Sequence, residues 1–203
     1  MRLVFASNNA HKLDEVRRIL PAGIEVLSLS DIGFEAEIEE TGTTLEQNSY
    51  IKASTVAAFI SDQQSVFSGQ IDGVFADDTG LEIDALGGQP GVYTARWAGE
   101  PAANRKKALA ELKGITDRGA QFRTVITLIK FSAISDQYSE TQVSGVVRGR
   151  IAEEEYGQGG FGYDPVFIPE GYDKTFGELP AEVKNSISHR SRALAALVKA
   201  LKD

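Results

Sequence analysis

The sequence predicts an α/β protein. Short β-rich apolar runs at Leu3–Ala6, Glu25–Leu27, Val74–Ala76 and Val166–Ile168 are separated by segments with helical periodicity. A longer apolar, β-branched stretch from Phe122 to Ala133 faces a second one from Gln142 to Arg150, the pattern of a long hairpin with Ser135-Asp136 near its tip. The N-terminal element reads as strand, polar turn, helix, an arrangement that directs free backbone N–H groups and the positive end of a helix dipole at an anion.

Size and charge narrow the field. The chain has 203 residues, 42% hydrophobic and 25% charged, which fits one large domain or two close lobes with a substantial core. No apolar run approaches the roughly 18 residues of a membrane span. The apolar run after Met1-Arg2 is too short for a signal peptide, and a cytoplasmic protein is the simplest reading. Cysteine is absent, so disulfides and thiolate metal sites are excluded. Net charge is −8, with no dense Lys/Arg block, so nucleic acid is not an expected partner. An anionic ligand would need a few placed cations or a divalent metal.

In chain order, Ser7-Asn8-Asn9-Ala10-His11-Lys12 forms the first polar turn. Leu13, Val16, Ile19 and Leu20 give the apolar face of the following helix, which Pro21 and Gly23 end. Lys12 lies in the first helical turn, where the dipole does not favour a cation. Phosphate binding would explain it; an Asn cap with a solvated lysine is the plainer alternative. The glycines and the Gly-Lys-Ser/Thr ending of a Walker loop are missing.

An acidic segment follows, with Asp31, Glu35, Glu37, Glu39 and Glu40. Thr44 and Gln47 have capping-box spacing for a helix from about Leu45 to Ile60. Asn48 and Lys52 fall four apart on one face of it and, with Glu39 and Glu40, form a polar cluster near one helix end. Ser61–Gly73 is a polar connection in which Val66-Phe67 is a candidate strand.

Ala76-Asp77-Asp78-Thr79-Gly80 reads as the end of a strand and a turn. Its two carboxylates should point in different directions, so that one could sit at a working site while the other serves the backbone or a second partner; plain turn chemistry, with Asx hydrogen bonds to local N–H groups, is the commoner alternative. Leu81 and Ile83 alternate with polar residues as a hairpin arm, and Gly87-Gly88-Gln89-Pro90-Gly91 is a tight turn. Tyr93 and Trp97 flank Arg96; an aromatic beside an arginine could stack on a base or simply close the core, and closing the core is the plainer reading. Asn104–Leu112 is helical. Gly157–Pro165 is the richest glycine segment; its backbone could approach a ligand closely, and its rings could stack on a purine or pin a loop. Ser188 is a natural cap for a final helix with Leu194, Leu197, Val198 and Leu201 inward. His189 and Arg190 then occupy its first turn, an unfavourable place for cations unless an anion sits there. Carboxylates, separated cations and candidate helix-start anion sites together point to a nucleotide phosphohydrolase using a divalent metal.

Six motifs carry a family resemblance: Ser7-Asn8-Asn9-Ala10-His11-Lys12, Glu39-Glu40-Thr41-Gly42, Ala76-Asp77-Asp78-Thr79-Gly80-Leu81, Gly87-Gly88-Gln89-Pro90-Gly91, Gly160-Phe161-Gly162-Tyr163-Asp164-Pro165 and Ser188-His189-Arg190. In this order, over nearly the whole chain, they resemble the inosine/xanthosine triphosphate pyrophosphatase family. The resemblance implies a single pyrophosphatase domain over 1–203, with a long curved mixed sheet flanked by helices, two lobes and a nucleotide cleft between them, and a homodimer. It implies Mg²⁺-dependent hydrolysis of ITP, dITP and XTP to the monophosphate and pyrophosphate, clearing these nucleotides from the pool. By position, Ser7, Asn8, Asn9, Ala10, His11 and Lys12 would contact phosphates. Glu39 and Asp78 would hold the metal, with Asp78 also the proton acceptor. Thr79 would touch substrate, and Phe161, Gly162, Tyr163 and Asp164 would bind the base. Lys184, His189 and Arg190 would complete the site, and Lys52 would partner a phosphate or a carboxylate. Asp77 has no assigned role, and Glu40 competes with Glu39. Asn8 stands where relatives often carry glycine, Thr79 where they often carry serine, and the Ser61–Gly73 connection looks longer than usual. The alternatives are a non-catalytic nucleotide sensor on the same fold, or a pyrophosphatase for another nucleotide.

Overall fold

The computed structural model describes residues 1–63, 71–132 and 138–202. Seven strands are present among them: β1 (Arg2–Phe5), β2 (Glu25–Leu27), β3 (Gly73–Ile83), β4 (Pro90–Gly91), β5 (Gly119–Phe131), β6 (Tyr138–Ile151) and β7 (Phe167–Pro169). The sheet runs β2-β1-β3-β5-β6-β7, with β4 paired to β3 off this path. β1 is parallel to β2 and β3, while β4 on β3 and β7 on β6 are antiparallel, so the sheet is mixed as expected. The helices are α1 (Ala10–Ile19), α2 (Leu45–Asp62), α3 (Pro101–Glu111), α4 (Ala181–Ile187) and α5 (His189–Ala200).

The chain forms two compact units, one of residues 1–78, 125–144 and 193–203, the other of 79–124 and 145–192. Strand alternation builds the first. Val4, Ala6, Val74 and Ala76 point to one face and pack with Ala53, Val56 and Ile60 of α2. Leu3, Phe5 and Phe75 point to the other and pack with Val16 of α1, with Leu194 and Leu197 of α5 and with Leu201 just after it. Both faces of β1 and β3 are therefore covered by helices, which explains their unbroken apolar runs. In the second unit Leu81, Ile83, Ala120, Phe122, Val147 and Phe167 pack against Ala108 and Leu112.

Capping chemistry fixes the helix starts. Asn9 Oδ1 accepts the Lys12 N–H at 3.1 Å, so the Asn cap is real. Thr44 Oγ1 accepts the Gln47 N–H at 3.1 Å, while Gln47 Oε1 returns to the N–H of Thr43 at 2.7 Å rather than to that of Thr44. Ser188 Oγ accepts the Ser191 N–H at 3.2 Å. Asn8 needs no glycine-like backbone, because no described non-glycine residue has a positive φ.

Several expectations change. The Asp77-Asp78 turn is not a turn: β3 runs through it without a break to Ile83. Asp, Thr and Gly in sequence look like turn chemistry, but tertiary ion pairs override a weak strand propensity. The chain reverses later, through Asp84–Leu86 and the left-handed Gly87 (φ 62°) and Gly88 (φ 87°). The second helix continues to Asp62, so the polar connection starts later than expected. The third begins at Pro101, a residue suited to the first helical position. Lys184 lies on a separate short helix, α4, that the pattern did not predict. Phe167–Pro169 forms the last strand, while Val166 belongs to a 3₁₀ turn. The candidate strand Val66-Phe67 and the hairpin tip Ser135-Asp136 lie outside the described residues.

Candidate active site

β3 carries the centre of the first unit's polar cluster. Asp77 has the parity of Phe75 and faces α1, where Lys12 Nζ donates to Asp77 Oδ1 at 2.9 Å. Asp78 has the parity of Val74 and Ala76 and faces α2, where Lys52 Nζ lies 3.4 Å from Asp78 Oδ1. Lys52 Nζ also donates to Glu40 Oε1 at 2.6 Å. The two carboxylates thus face opposite ways, as strand geometry demands, and each has its own lysine.

They differ in one respect that bears on chemistry. Asp78 is only 8% exposed, and its Oδ2 is buried without a hydrogen-bond partner. Burial pushes the Asp78 carboxyl above the usual carboxylate range; Lys52 and Lys12 oppose this, while Glu40 and Asp77 add to it. For Lys52, burial alone would lower the ammonium, but Asp78, Asp77 and Glu40 outweigh it and hold the lysine above its ordinary value. Lys52 therefore stays charged, between one carboxylate that it grips closely and a second that it only approaches. An elevated carboxyl with a lone pair left over has the features of a proton acceptor.

Of the acidic pair before α2, Glu40 is the one on Lys52; Glu39 is exposed. The remaining residues of the first turn are arranged around the start of α1. Ser7 Oγ accepts the Asn9 N–H at 3.3 Å, and Asn8, Ala10 and His11 are exposed there. Asn48, one helical turn before Lys52, is fully buried.

The second unit gathers another group. Phe161 is 49% exposed, the one exposed phenylalanine among the described residues. Lys184 Nζ lies 4.6 Å from its centroid and the Arg190 guanidinium 5.9 Å away. The loop that presents it is held firmly: Asp164 Oδ2 accepts the Phe161 N–H at 2.7 Å and pairs with Lys184. Gly160 has φ 74°, and a Cβ there would collide with the Asp164 carboxylate. Arg105 Nη1 donates to the Gly162 carbonyl at 2.8 Å. Tyr163 turns the other way. Only 4% exposed, it packs in the core and donates from its hydroxyl to the Thr94 carbonyl at 3.1 Å; burial pushes its phenol upward. Of the two rings in this loop, only Phe161 is available for stacking.

His189 and Arg190 are not on an exposed turn: they are 7% and 2% exposed. His189 stacks on Phe122 with centroids 5.0 Å apart. Its Nδ1 lies 2.6 Å from Thr124 Oγ1, which in turn lies 2.8 Å from Thr79 Oγ1. Thr79 is therefore tied to His189 through a fully buried threonine. Thr124 and Arg105 were not singled out from sequence, because both sit in patterns that read as ordinary strand and helix. Asn48 was visible only as a polar residue at helical spacing from Lys52.

An exposed ring under two cations should contribute binding without contributing core stability. On the reading that Phe161 stacks on a purine base, as the family resemblance implies, Phe161→Ala is expected to raise the KM for a purine nucleoside triphosphate about tenfold, a stacking-sized effect, with the melting temperature unchanged. Steady-state kinetics and thermal unfolding together check this.

The Ham1 family model matches residues 3–200. A dITP/XTP pyrophosphatase of Flavobacterium johnsoniae is 46% identical over 204 residues, covering 99% of this chain and 98% of that protein. A dITP/XTP pyrophosphatase of Bacillus subtilis is 47% identical over 98% of this chain and 96% of its own length. The solved structure of the Staphylococcus aureus Ham1 protein superposes with a TM-score of 0.84 at 38% identity, covering all of this chain and 98% of that one.

Proposed function

The chain belongs to the Ham1 family, and from that premise we propose that it is a hydrolase that cleaves deaminated purine nucleoside triphosphates (ITP, dITP and XTP) to the monophosphate and pyrophosphate, clearing them from the nucleotide pool. The observation that carries this reading is the buried, partnerless Oδ2 of Asp78 beside Lys52. A carboxylate so placed can accept a proton from water as water attacks a phosphorus atom. A nucleotide sensor would have no need of an elevated, half-satisfied carboxylate at a cost in stability.

The residues fit Mg²⁺. Asp78 offers an oxygen that no protein group uses, Glu40 shares Lys52 with it, and Glu39 adjoins Glu40 as a further hard oxygen donor. Among the described residues no group of three or more His, Cys, Asp or Glu side chains is arranged to hold a metal. Mg²⁺ is commonly held by one or two carboxylates together with substrate phosphates. Asp78 and Glu39 would hold it, with Glu40 as the competing second carboxylate. When bound, it would neutralise phosphate charge. Lys12 and Lys52 keep cationic charge beside the carboxylates, and the Ser7–Lys12 turn offers polar groups for phosphate oxygens. Phe161 would stack on the base, with Gly162 and Asp164 shaping the loop and Tyr163 anchoring it from the core. Thr79, Lys184, His189 and Arg190 would complete substrate binding.

The protein works in this reading as one pyrophosphatase domain over 1–203 and as a cytoplasmic homodimer. No described helix is long and apolar enough to cross a membrane. Hydrolysis of ITP, XTP, GTP and ATP should be compared in the presence of Mg²⁺, with pyrophosphate and orthophosphate scored separately. We expect pyrophosphate as the primary product, with ITP and XTP turned over at least about tenfold faster than GTP and ATP, the scale of one net hydrogen bond. Orthophosphate as the primary product would refute the cleavage position. Preference for GTP or a pyrimidine nucleotide would refute the substrate class.

A further inference from the structure

We propose that Asn48 is a direct donor to the substrate's polyphosphate, a contact that rests on the pyrophosphatase reading and adds to the residues assigned above. Asn48 is fully buried on α2. Its Oδ1 accepts the Gly42 N–H at 2.8 Å. A backbone N–H can only donate, so the oxygen of the amide must face Gly42, and the NH₂ group is thereby fixed on the other side. That Nδ2 is buried and has no hydrogen-bond partner. A buried amide that donates to nothing is costly, and native structures leave few of them.

Its surroundings identify the missing acceptor. Lys52 is four residues further on the same helix, on the same face. The segment before α2 runs alongside both: Glu40 reaches Lys52, and Gly42 reaches Asn48. Among the described residues of this unit, the other buried partnerless side-chain atom is Asp78 Oδ2, an acceptor, and the amide does not bond to it. A phosphate oxygen suits the amide, since it accepts without needing a proton and is attracted to the cations of the same cluster.

Gly42 shows that the contact is built. A Cβ at Gly42 would lie 2.6 Å from Asn48 Oδ1 and 2.7 Å from Gln47 Cβ. The absence of a side chain is what lets the backbone close onto the amide and hold it in place. Gly42→Ala would therefore push Asn48 aside while leaving its chemistry intact.

The test uses the full-length protein with Mg²⁺, ITP and XTP as substrates, and inorganic tripolyphosphate as the inhibitor that carries the phosphates without a base. Asn48→Leu keeps the branched shape of the side chain and deletes the donor, together with the oxygen that accepts the Gly42 N–H. We expect its inhibition constant for tripolyphosphate to rise about tenfold, the scale of one hydrogen bond to a charged group. The kcat/KM for ITP and XTP should fall in parallel, so that their ratio is unchanged. Gly42→Ala should do the same to a smaller extent, and it decides the matter if Asn48→Leu does not fold. Unchanged tripolyphosphate inhibition in a folded variant would overturn the proposal and leave Asn48 with a structural water. A shifted ITP-to-XTP ratio with unchanged inhibition would also overturn it, in favour of a role at the base. Wild-type protein that hydrolyses ITP but is not inhibited by tripolyphosphate would overturn it as well. Wild-type protein inert towards ITP would instead refute the underlying activity.

Discussion

Asp78→Asn is expected to lower kcat by about a thousandfold, within the range for loss of a general base, and to leave the protein at least as thermally stable as the wild type. The two halves of this result have one cause. Asp78 Oδ2 has no partner and its carboxyl is pushed up, chiefly by burial. The native fold therefore disfavours the charged form relative to the unfolded chain. A group with a raised folded pKa binds its proton more tightly when folded, so its cost is fully present above that raised value. The cost is relieved as pH falls towards the ordinary value of 3.8. Asparagine has no charge to bury. Its thermal advantage should appear at neutral pH and shrink in mildly acidic buffer. The acidic limb of the wild-type kcat/KM profile should lie above the ordinary carboxylate range in low Mg²⁺ and move down as Mg²⁺ rises. Activity, unfolding and pH profiles check each part. A variant with normal turnover would remove Asp78 from the role of base.

Lys52→Met is expected to have the larger effect on stability, about 3–5 kcal/mol, the range for removing one partner of a buried ion pair. Its ammonium lies between Glu40 and Asp78, and each carboxylate loses compensation when it goes. Methionine retains most of the stem's packing, so the loss should be electrostatic. Two consequences separate this from a generic core defect. Lowering the pH should restore part of the lost stability, because protonated carboxyls do not need the lysine. Mg²⁺ should raise the melting temperature of Lys52→Met more than that of the wild type, because a cation replaces a cation. Thermal unfolding across pH and Mg²⁺ concentration tests both. Catalysis should remain impaired even with metal added.

Much of the fold was legible because it obeys local rules. The caps at Asn9, Thr44 and Ser188, the helical faces built on Leu13, Val16, Leu194 and Leu197, and the two long β-branched stretches are all visible in the chain. The run from Asp77 to Gly80 was misread for a physical reason. Its residue types favour turns, and what holds them in a strand is a pair of lysines from helices distant in sequence. The same limit applies to the candidate site. Motifs brought attention to Asp78, Lys12, Phe161 and Arg190, but spacing could not show that Glu40 rather than Glu39 reaches Lys52. Nor could it show that Tyr163 belongs to the core while Phe161 faces out. Thr124 gave no signal, since a threonine inside an apolar strand is common, and its place between Thr79 and His189 exists only after folding.

The uninterrupted passage of β3 through its two carboxylates has an evolutionary corollary. Which aspartate meets Lys52 and which meets Lys12 is settled by odd and even position alone, since successive side chains leave opposite sides of a strand. Inserting or deleting one residue between Val74 and Asp77 would exchange the partners of the pair and turn the apolar residues beside them inside out. A one-residue change of length there keeps both pairings only where a β-bulge absorbs it, so the spacing of this strand matters to the site as much as the aspartate itself.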